Sequence, residues 1–329
     1  MPLSVSARSA SGGIKANKKV TTTSGSWRPF LQAQGKNYSL ADALLFLAPA
    51  LAICFGLILY PLARTFYNSF FTVGPHNLAR FVGLKNFAVI LFKDPVFWKA
   101  VRNTAVFSLV GTALDVACGF VLALCLFAKI PLARLLRVVW FTPVLMSYVV
   151  VGIIWMWIYD YHWGIVDTAL RLVGLGTLAH SWLGDPRTAL WAVVFTQVWK
   201  WAGFNMIVFL AALYALPADT LGAAELDSCG WLTKVVYVII PMLRSTIASV
   251  LILSFIGKMM MFDLVWVMTR GGPLWSTETV STYVYKRAFD WNTFDLGYPS
   301  AVAVIWFIII LGLVVLITRV IRSREKLEF

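Results

Sequence analysis

Six stretches of this chain run apolar for about twenty residues each, with the polar residues gathered between them. Runs longer than ~18 apolar residues mark membrane-spanning helices. These runs are continuous and do not alternate in steps of two, which argues against a barrel. The pattern predicts an all-α polytopic membrane protein with six transmembrane helices near 41–63, 103–128, 138–158, 187–214, 242–264 and 298–320. Pro49 and Pro143 fall inside the first and third spans. Both are tolerable there, because neighbouring helices can satisfy backbone groups that a proline frees. The stretch after Arg64 holds Phe, Trp and Val residues suited to short helices lying along the outer interface. Trp140, Trp155, Trp157, Trp163, Trp182 and Trp191 flank the third and fourth spans as an aromatic belt would.

The segments between the spans orient them. Six basic residues and no acid precede residue 40, and four more basic residues fall in the last eleven. Together with the short 129–137 connection, they put both termini in the cytoplasm by the positive-inside rule. The 64–102 segment dissents, with six basic residues and one acid, but it is long enough to weaken the rule. Residues 1–38, rich in Ser, Thr, Gly and Lys, read as a disordered basic cytoplasmic tail. The transmembrane domain covers 39–322 and a short cytoplasmic tail 323–329. The first apolar run is longer than a signal-peptide core and lacks a small-residue cleavage site, so it reads as a span.

Composition adds one exclusion. The chain has 329 residues, 60% of them hydrophobic and 13% charged, with a net charge of +13. That positive charge sits on the flanks of spans, so it reports topology and not nucleic-acid binding. Cys54, Cys118 and Cys125 lie in apolar runs and Cys229 in a polar loop, which suggests reduced, mostly buried thiols. His76, His162 and His180 stand far apart in loops and show no metal spacing.

Asp115, Gln197, Lys200, Asn205, Lys258 and Asp263 interrupt the apolar runs. An ionised group at mid-membrane costs at least ~2.5–3.5 kcal/mol, so each should face protein or water and not lipid. Two readings stand for the lysines. In one, Lys200 and Lys258, with Asn205 and Asp263, line a pathway through the membrane. In the other, the lysines are structural, paired with Asp115 or Asp263 or snorkelling. Trp201, Phe204 and Trp266 offer faces on which a sugar could stack, or are simply packing.

Between the fourth and fifth apolar runs lies Leu216–Leu243, LPADTLGAAELDSCGWLTKVVYVIIPML. Pro217, Asp219 and Thr220 read as a helix start. Gly222, Ala223 and Ala224 present almost no side chain, so a partner surface could approach the backbone closely. Ser228, Cys229 and Gly230 end that helix, and an amphipathic piece runs on to Pro241. This segment resembles the EAA loop of the membrane subunits of bacterial ABC importers, with Ala223, Ala224, Asp227 and Pro241 in register. Gly222 stands where the family has Glu, and Ser228 where it has Gly. Further blocks agree in order: Phe81–Phe87, Trp199–Met206, Phe262-Asp263 with Met268–Pro273, and Gly297-Tyr298. The subgroup they resemble most is the sugar-uptake permeases, over about 40–322.

The resemblance implies a permease subunit in a bacterial inner membrane. It would work with a second homologous permease, an ATPase dimer and an extracytoplasmic solute-binding protein that delivers a sugar or oligosaccharide. ATP and Mg would sit on the partner ATPase, and no cofactor on this chain. The 215–241 loop would couple to that ATPase through Gly222, Ala223, Ala224, Glu225, Asp227 and Gly230, with Glu225 standing in for the acid missing at Gly222. No G-x-x-x-x-G-K-[ST] motif is present, and no nucleophile–base motif, so the chain reads as a non-enzyme. The expected substrate is a neutral oligosaccharide, with an anionic one as the alternative if the lysines face it. A gradient-driven transporter or channel subunit is the rival function, but the halves show no repeat of the kind such folds use.

Overall fold

The computed structural model describes residues 40–73, 79–128, 130–226, 230–291 and 295–325. The expected tail 1–38, Asp227, Ser228, Cys229 and the last four residues lie outside these, as does the side chain of Glu225. Contacts divide the chain at Leu59. In the first unit, α1 (Leu40–Cys54) holds Pro49 in its interior and leads into a π-helical turn, Phe55–Leu59. No residue from Leu44 to Leu59 is buried.

The second unit begins with α2 (Tyr60–Asn68) and an antiparallel hairpin of β1 (Phe71–Val73) and β2 (Ala79–Phe81), with Thr72 opposite Arg80. The sequence pattern did not announce this hairpin. Asn86, at the start of α3 (Lys85–Lys93), pins it by donating to the Ser69 and Phe71 carbonyls at 3.0 and 2.9 Å. The second span, α4, runs Pro95–Phe127 and so starts eight residues before its expected position. Its beginning follows from local chemistry. Pro95 occupies the first turn and Asp94 caps it, Oδ1 accepting from the Val96 and Phe97 amides at 3.0 Å.

The expected third span is not one helix. It is α5 (Ala133–Leu145) and α6 (Tyr148–Ile158), bent by 108° at Met146-Ser147. Pro143 sits in the last turn of α5, and Ser147 caps α6 by accepting from the Val150 amide. The short α7 (Ile165–Leu172) precedes α8 (Ala189–Tyr214), the fourth span. The loop that follows folds into α9 (Ala218–Leu226) and α10 (Trp231–Lys234). A π-helical turn, Val235–Ile239, then joins α11 (Ile240–Met242). The expected fifth span corresponds to α12 (Arg244–Met259), which the helical run Trp231–Met242 meets at 73° and which stops before Asp263. Two short helices, α13 (Asp263–Thr269) and α14 (Val280–Tyr285), lead to the sixth span, α15 (Gly297–Glu325).

The core sits on α4 and α8, which pack along most of their length. The crossing is close because side chains there are small. A Cβ on Gly119 would stand 2.5 Å from that of Asn205, and one on Gly203 would overlap the Trp140 carbonyl of α5. Apolar clusters fill three levels: Phe97, Tyr283 and Ala301 in one, Phe107, Trp155 and Leu264 in a second, Met206, Phe209 and Ile239 in the third. Trp155, expected in an aromatic belt, is thus a core residue, whereas Trp157, Trp163 and Trp191 are exposed. The thiols also depart from expectation. Cys54 and Cys118 are half-buried and Cys125 is exposed.

Between α12 and α15, buried polar contacts knit the segment. Glu278 is fully buried, 2.5 Å from Lys286, and accepts from Thr282. Burial holds its carboxyl above the usual range despite the pull of Lys286. Asp94 Oδ2 accepts from the hydroxyls of Tyr283 and Tyr298, which ties the start of α4 to α14 and α15. Burial pushes the Tyr283 hydroxyl up to about 12, so it remains a donor at any ordinary pH.

Candidate functional site

The close α4–α8 crossing brings Asp115, one turn before Gly119, beside α12. Gly111 leaves room there for the stem of Lys258, whose Cδ would lie 3.2 Å from a Cβ at that position. The Lys258 ammonium donates to Asp115 Oδ2 at 2.7 Å and to Ser254 Oγ at 2.5 Å, and Ser254 donates to the same oxygen at 3.0 Å. Both ions are almost wholly buried. A buried pair survives in a membrane when each member has its counter-charge and further hydrogen bonds.

This cluster opens onto a cavity of about 470 Å³. From α8 it takes Gln197, Trp201, Phe204, Asn205 and Val208, which recur at helical spacing along one face. From α12 come Ser245, Thr246, Ser249, Val250, Leu253, Ser254 and Gly257 beside Lys258. Tyr148, the first residue of α6, completes the wall. Its hydroxyl accepts from Trp201 Nε1 at 2.5 Å and from Gln197 Nε2 at 3.4 Å. The Asn205 amide lies against the Asp115 carboxylate, and Gln197 Oε1 is buried on this wall with no hydrogen-bond partner among the described residues. The cleft is thus mainly apolar, with hydroxyls from Tyr148 and the α12 serines and aromatic faces from Trp201 and Phe204.

Of the residues expected on a pathway, the structure gathers Lys258 and Asn205 at this cavity and leaves two elsewhere. Lys200 points the other way. Its ammonium donates to the carbonyls of Pro143, Val144 and Met146 at 3.1, 3.2 and 2.7 Å, and lies 4.8 Å from the Tyr148 ring centroid. It fills the place of the missing next turn of α5, so the structural reading accounts for it. Asp263 begins α13 with its side chain exposed, and Asp115, not Asp263, is the partner of Lys258. The residues that sequence reasoning passed over are Tyr148 and the serines of α12. Ser245 and Ser249, four apart on an apolar helix, were the available signal.

On the segment after α8, α9 starts directly after Pro217, as its start signals predict. Ala224 is buried, Gly222 half-buried, and Ala223 and Gly230 exposed. Nothing lies within 4 Å of a Cβ built at Gly222 or Gly230. Leu221 joins the inner apolar cluster, while Leu226 and Leu232 stand 87% and 75% exposed. The loop therefore holds on to the bundle by one side and presents bare backbone and leucines on the other.

Residues 115–326 match the family model described as "Binding-protein-dependent transport system inner membrane component". The chain is 31% identical to the sulfoquinovosyl glycerol transport system permease protein SmoG of Agrobacterium fabrum, over 86% of this chain and 91% of that one. It is 32% identical to the lactose transport system permease protein LacF of Rhizobium radiobacter, over 88% and 97%. Its fold matches a chain of a solved bacterial alginate ABC transporter, in complex with an alginate pentasaccharide-bound periplasmic protein, with a TM-score of 0.75 at 20% identity, over 87% and 96%. The family match covers well over half of the sequence, and the chain belongs to the binding-protein-dependent transport system inner membrane components.

Proposed function

We infer that this chain is one permease subunit of an ATP-driven importer for a neutral sugar or oligosaccharide. An extracytoplasmic binding protein delivers the sugar, a second homologous permease completes the path, and a separate ATPase dimer supplies the energy. Membership of the family supports the importer, and the names of the two relatives, a lactose and a sulfoquinovosyl glycerol permease, support a sugar. The observation that carries the neutral reading is the fate of the two lysines. One is cancelled by Asp115 and the other is absorbed by backbone carbonyls, so neither presents a free cation for an acidic sugar to meet. The cavity, mainly apolar with Tyr148 and the α12 serines as its polar points and Trp201 and Phe204 on its wall, supports the same reading.

In this reading α9 and α10 are the coupling element, with Gly222, Ala223, Ala224, Glu225, Asp227 and Gly230 facing a groove on the ATPase. A short helix with a bare face set in a partner's groove transmits motion to the spans on either side of it, here α8 and α12. ATP and Mg belong to that partner. Both termini lie in the cytoplasm, as the basic flanks require.

Reconstitution tests this. The chain, a second permease, the ATPase and the binding protein in liposomes should take up a labelled neutral oligosaccharide only with ATP inside the ATPase compartment. Uptake that persists without the ATPase and follows an ion gradient would establish a secondary transporter instead.

A further inference from the structure

We propose that a second cleft, walled by α4, α6 and α8, holds a phospholipid of the outer leaflet, with hydrocarbon along the cleft and the phosphate at Arg187. This cleft shares no lining residue with the cavity beside Lys258. The proposal is independent of what is transported, and rests on the topology above only for which leaflet is named.

The wall chemistry excludes a polar ligand. Leu114 and Cys118 come from α4, Ile158 from α6, and Trp191, Phe195 and Val198 from α8. The hydroxyls on the wall are spent inside the protein. Tyr159 donates to the Ala192 carbonyl at 3.2 Å and Thr188 to the Trp182 carbonyl at 2.9 Å. The Trp182 indole N–H goes to Asp167 Oδ1 at 2.7 Å. A sugar entering here would give up its bonds to water without replacement, whereas hydrocarbon gives up none.

The dimensions exclude a helix. From Thr188, at the head of α8, to Val198 is ten residues, about 15 Å at helical rise. That is half of a ~30 Å hydrocarbon core, the depth of one leaflet. The cleft's 690 Å³ spread along this depth is equivalent to a bore about 8 Å wide, narrower than the ~10–12 Å of a helix with its side chains. An extended hydrocarbon chain is slimmer than such a bore. The rim is open, with Leu114, Trp191 and Phe195 each at least half exposed.

The mouth carries the matching charge. Arg187 adjoins Thr188 and is exposed, and its guanidinium is in no ion pair among the described residues. Asp185 Oδ1 fixes the backbone there by accepting from the Arg187 amide at 2.8 Å. A guanidinium matches phosphate geometry with paired N–H donors. Trp182 and Trp191 stand at the same end, where indoles suit the boundary between headgroups and hydrocarbon. A cation above an apolar cleft one leaflet deep is the complement of a phospholipid.

The test uses the full chain, with its partner permease and ATPase, in nanodiscs of phosphatidylethanolamine and phosphatidylglycerol. The probe is phosphatidylglycerol carrying a diazirine at the end of one acyl chain. After irradiation, peptide mass spectrometry should find Leu114 and Val198 labelled about tenfold more than Leu311 of α15, a 50% exposed leucine that reports bulk lipid. Cys118→Phe fills the deep end of the cleft and should bring that labelling down to the Leu311 level. Arg187→Gln leaves the packing alone and should lower it roughly 2–5-fold, the scale of an exposed ion pair.

Wild-type labelling no higher than at Leu311 overturns the proposal, as does undiminished labelling in folded Cys118→Phe. Should Cys118→Phe not fold, Arg187→Gln decides, and unchanged labelling in it overturns the site as stated. A cross-link from a photoreactive residue at Phe195 to the second permease would give the cleft to a protein partner, and overturns it too.

Discussion

A lysine inside a membrane span needs partners for three protons, and the two lysines here find them in different currencies. Lys258 uses a carboxylate and a serine; Lys200 uses three main-chain carbonyls. The sequence shows that both must be accommodated, and its list of partners for Lys258 includes the right one. It cannot show Lys200's partners, because the carbonyls of Pro143, Val144 and Met146 become available only where α5 ends and the chain turns through 108°. Lys200→Met should therefore act on stability. Leaving these carbonyls without a donor costs about 1–3 kcal/mol for each one that stays buried. The variant should melt earlier in detergent by static light scattering, with its surviving uptake showing the wild-type order of sugar preference. A changed order at unchanged stability would put Lys200 back on the substrate path.

At the scale of elements, the spans were legible from continuous hydrophobicity and the break within the third was not. Average hydropathy carries straight through Met146-Ser147, which introduces no run of polar residues, whereas the bend at Leu243 falls at the expected start of the fifth span, just before Arg244, Ser245 and Thr246. The start of α4 was misjudged for a related reason. Its first turns, with Trp98, Lys99 and Arg102, look like loop by polarity, although Asp94-Pro95 is a helix-start signal in its own right. The α9 boundaries, by contrast, were legible because Pro217 and Gly230 mark both sides.

Two outcomes are expected for the glycines on these elements. Gly203→Ala should prevent α5 and α8 from meeting, because the added methyl overlaps the Trp140 carbonyl, and the subunit should fail to accumulate. Gly222→Ala meets nothing within 4 Å and should firm α9 by roughly 1 kcal/mol, with transport retained. Glu225→Ala removes an acid three residues after Gly222 and should uncouple ATP hydrolysis from uptake, read as binding-protein-independent ATPase activity. Normal stimulation and uptake in that variant would dismiss Glu225 as the stand-in acid.

For the whole molecule, the count of six spans from the sequence agrees with four straight helices and two bent pairs, all long and apolar enough to cross. Orientation rests on charge alone, so it is the claim to test. In a cysteine-free background, Cys at Ser26 should react with an impermeant maleimide only from the cytoplasm. Cys at Leu84, a 69% exposed residue in the 64–102 segment, should react only from outside. Leu84 serves better than Gly83, whose φ of 56° disfavours a side chain. Labelling of both from one face would break the six-span topology.

The Lys200 clamp also sets a clock for synthesis. About fifty residues separate Met146 from Lys200. At ~5–20 residues per second, a ribosome takes roughly 3–10 s to make them. For that interval the carbonyls at the elbow of the third span lack the donor that Lys200 gives them in the finished fold. The third span is therefore complete only once Lys200 of the fourth has been made, and the two spans depend on each other at this one point.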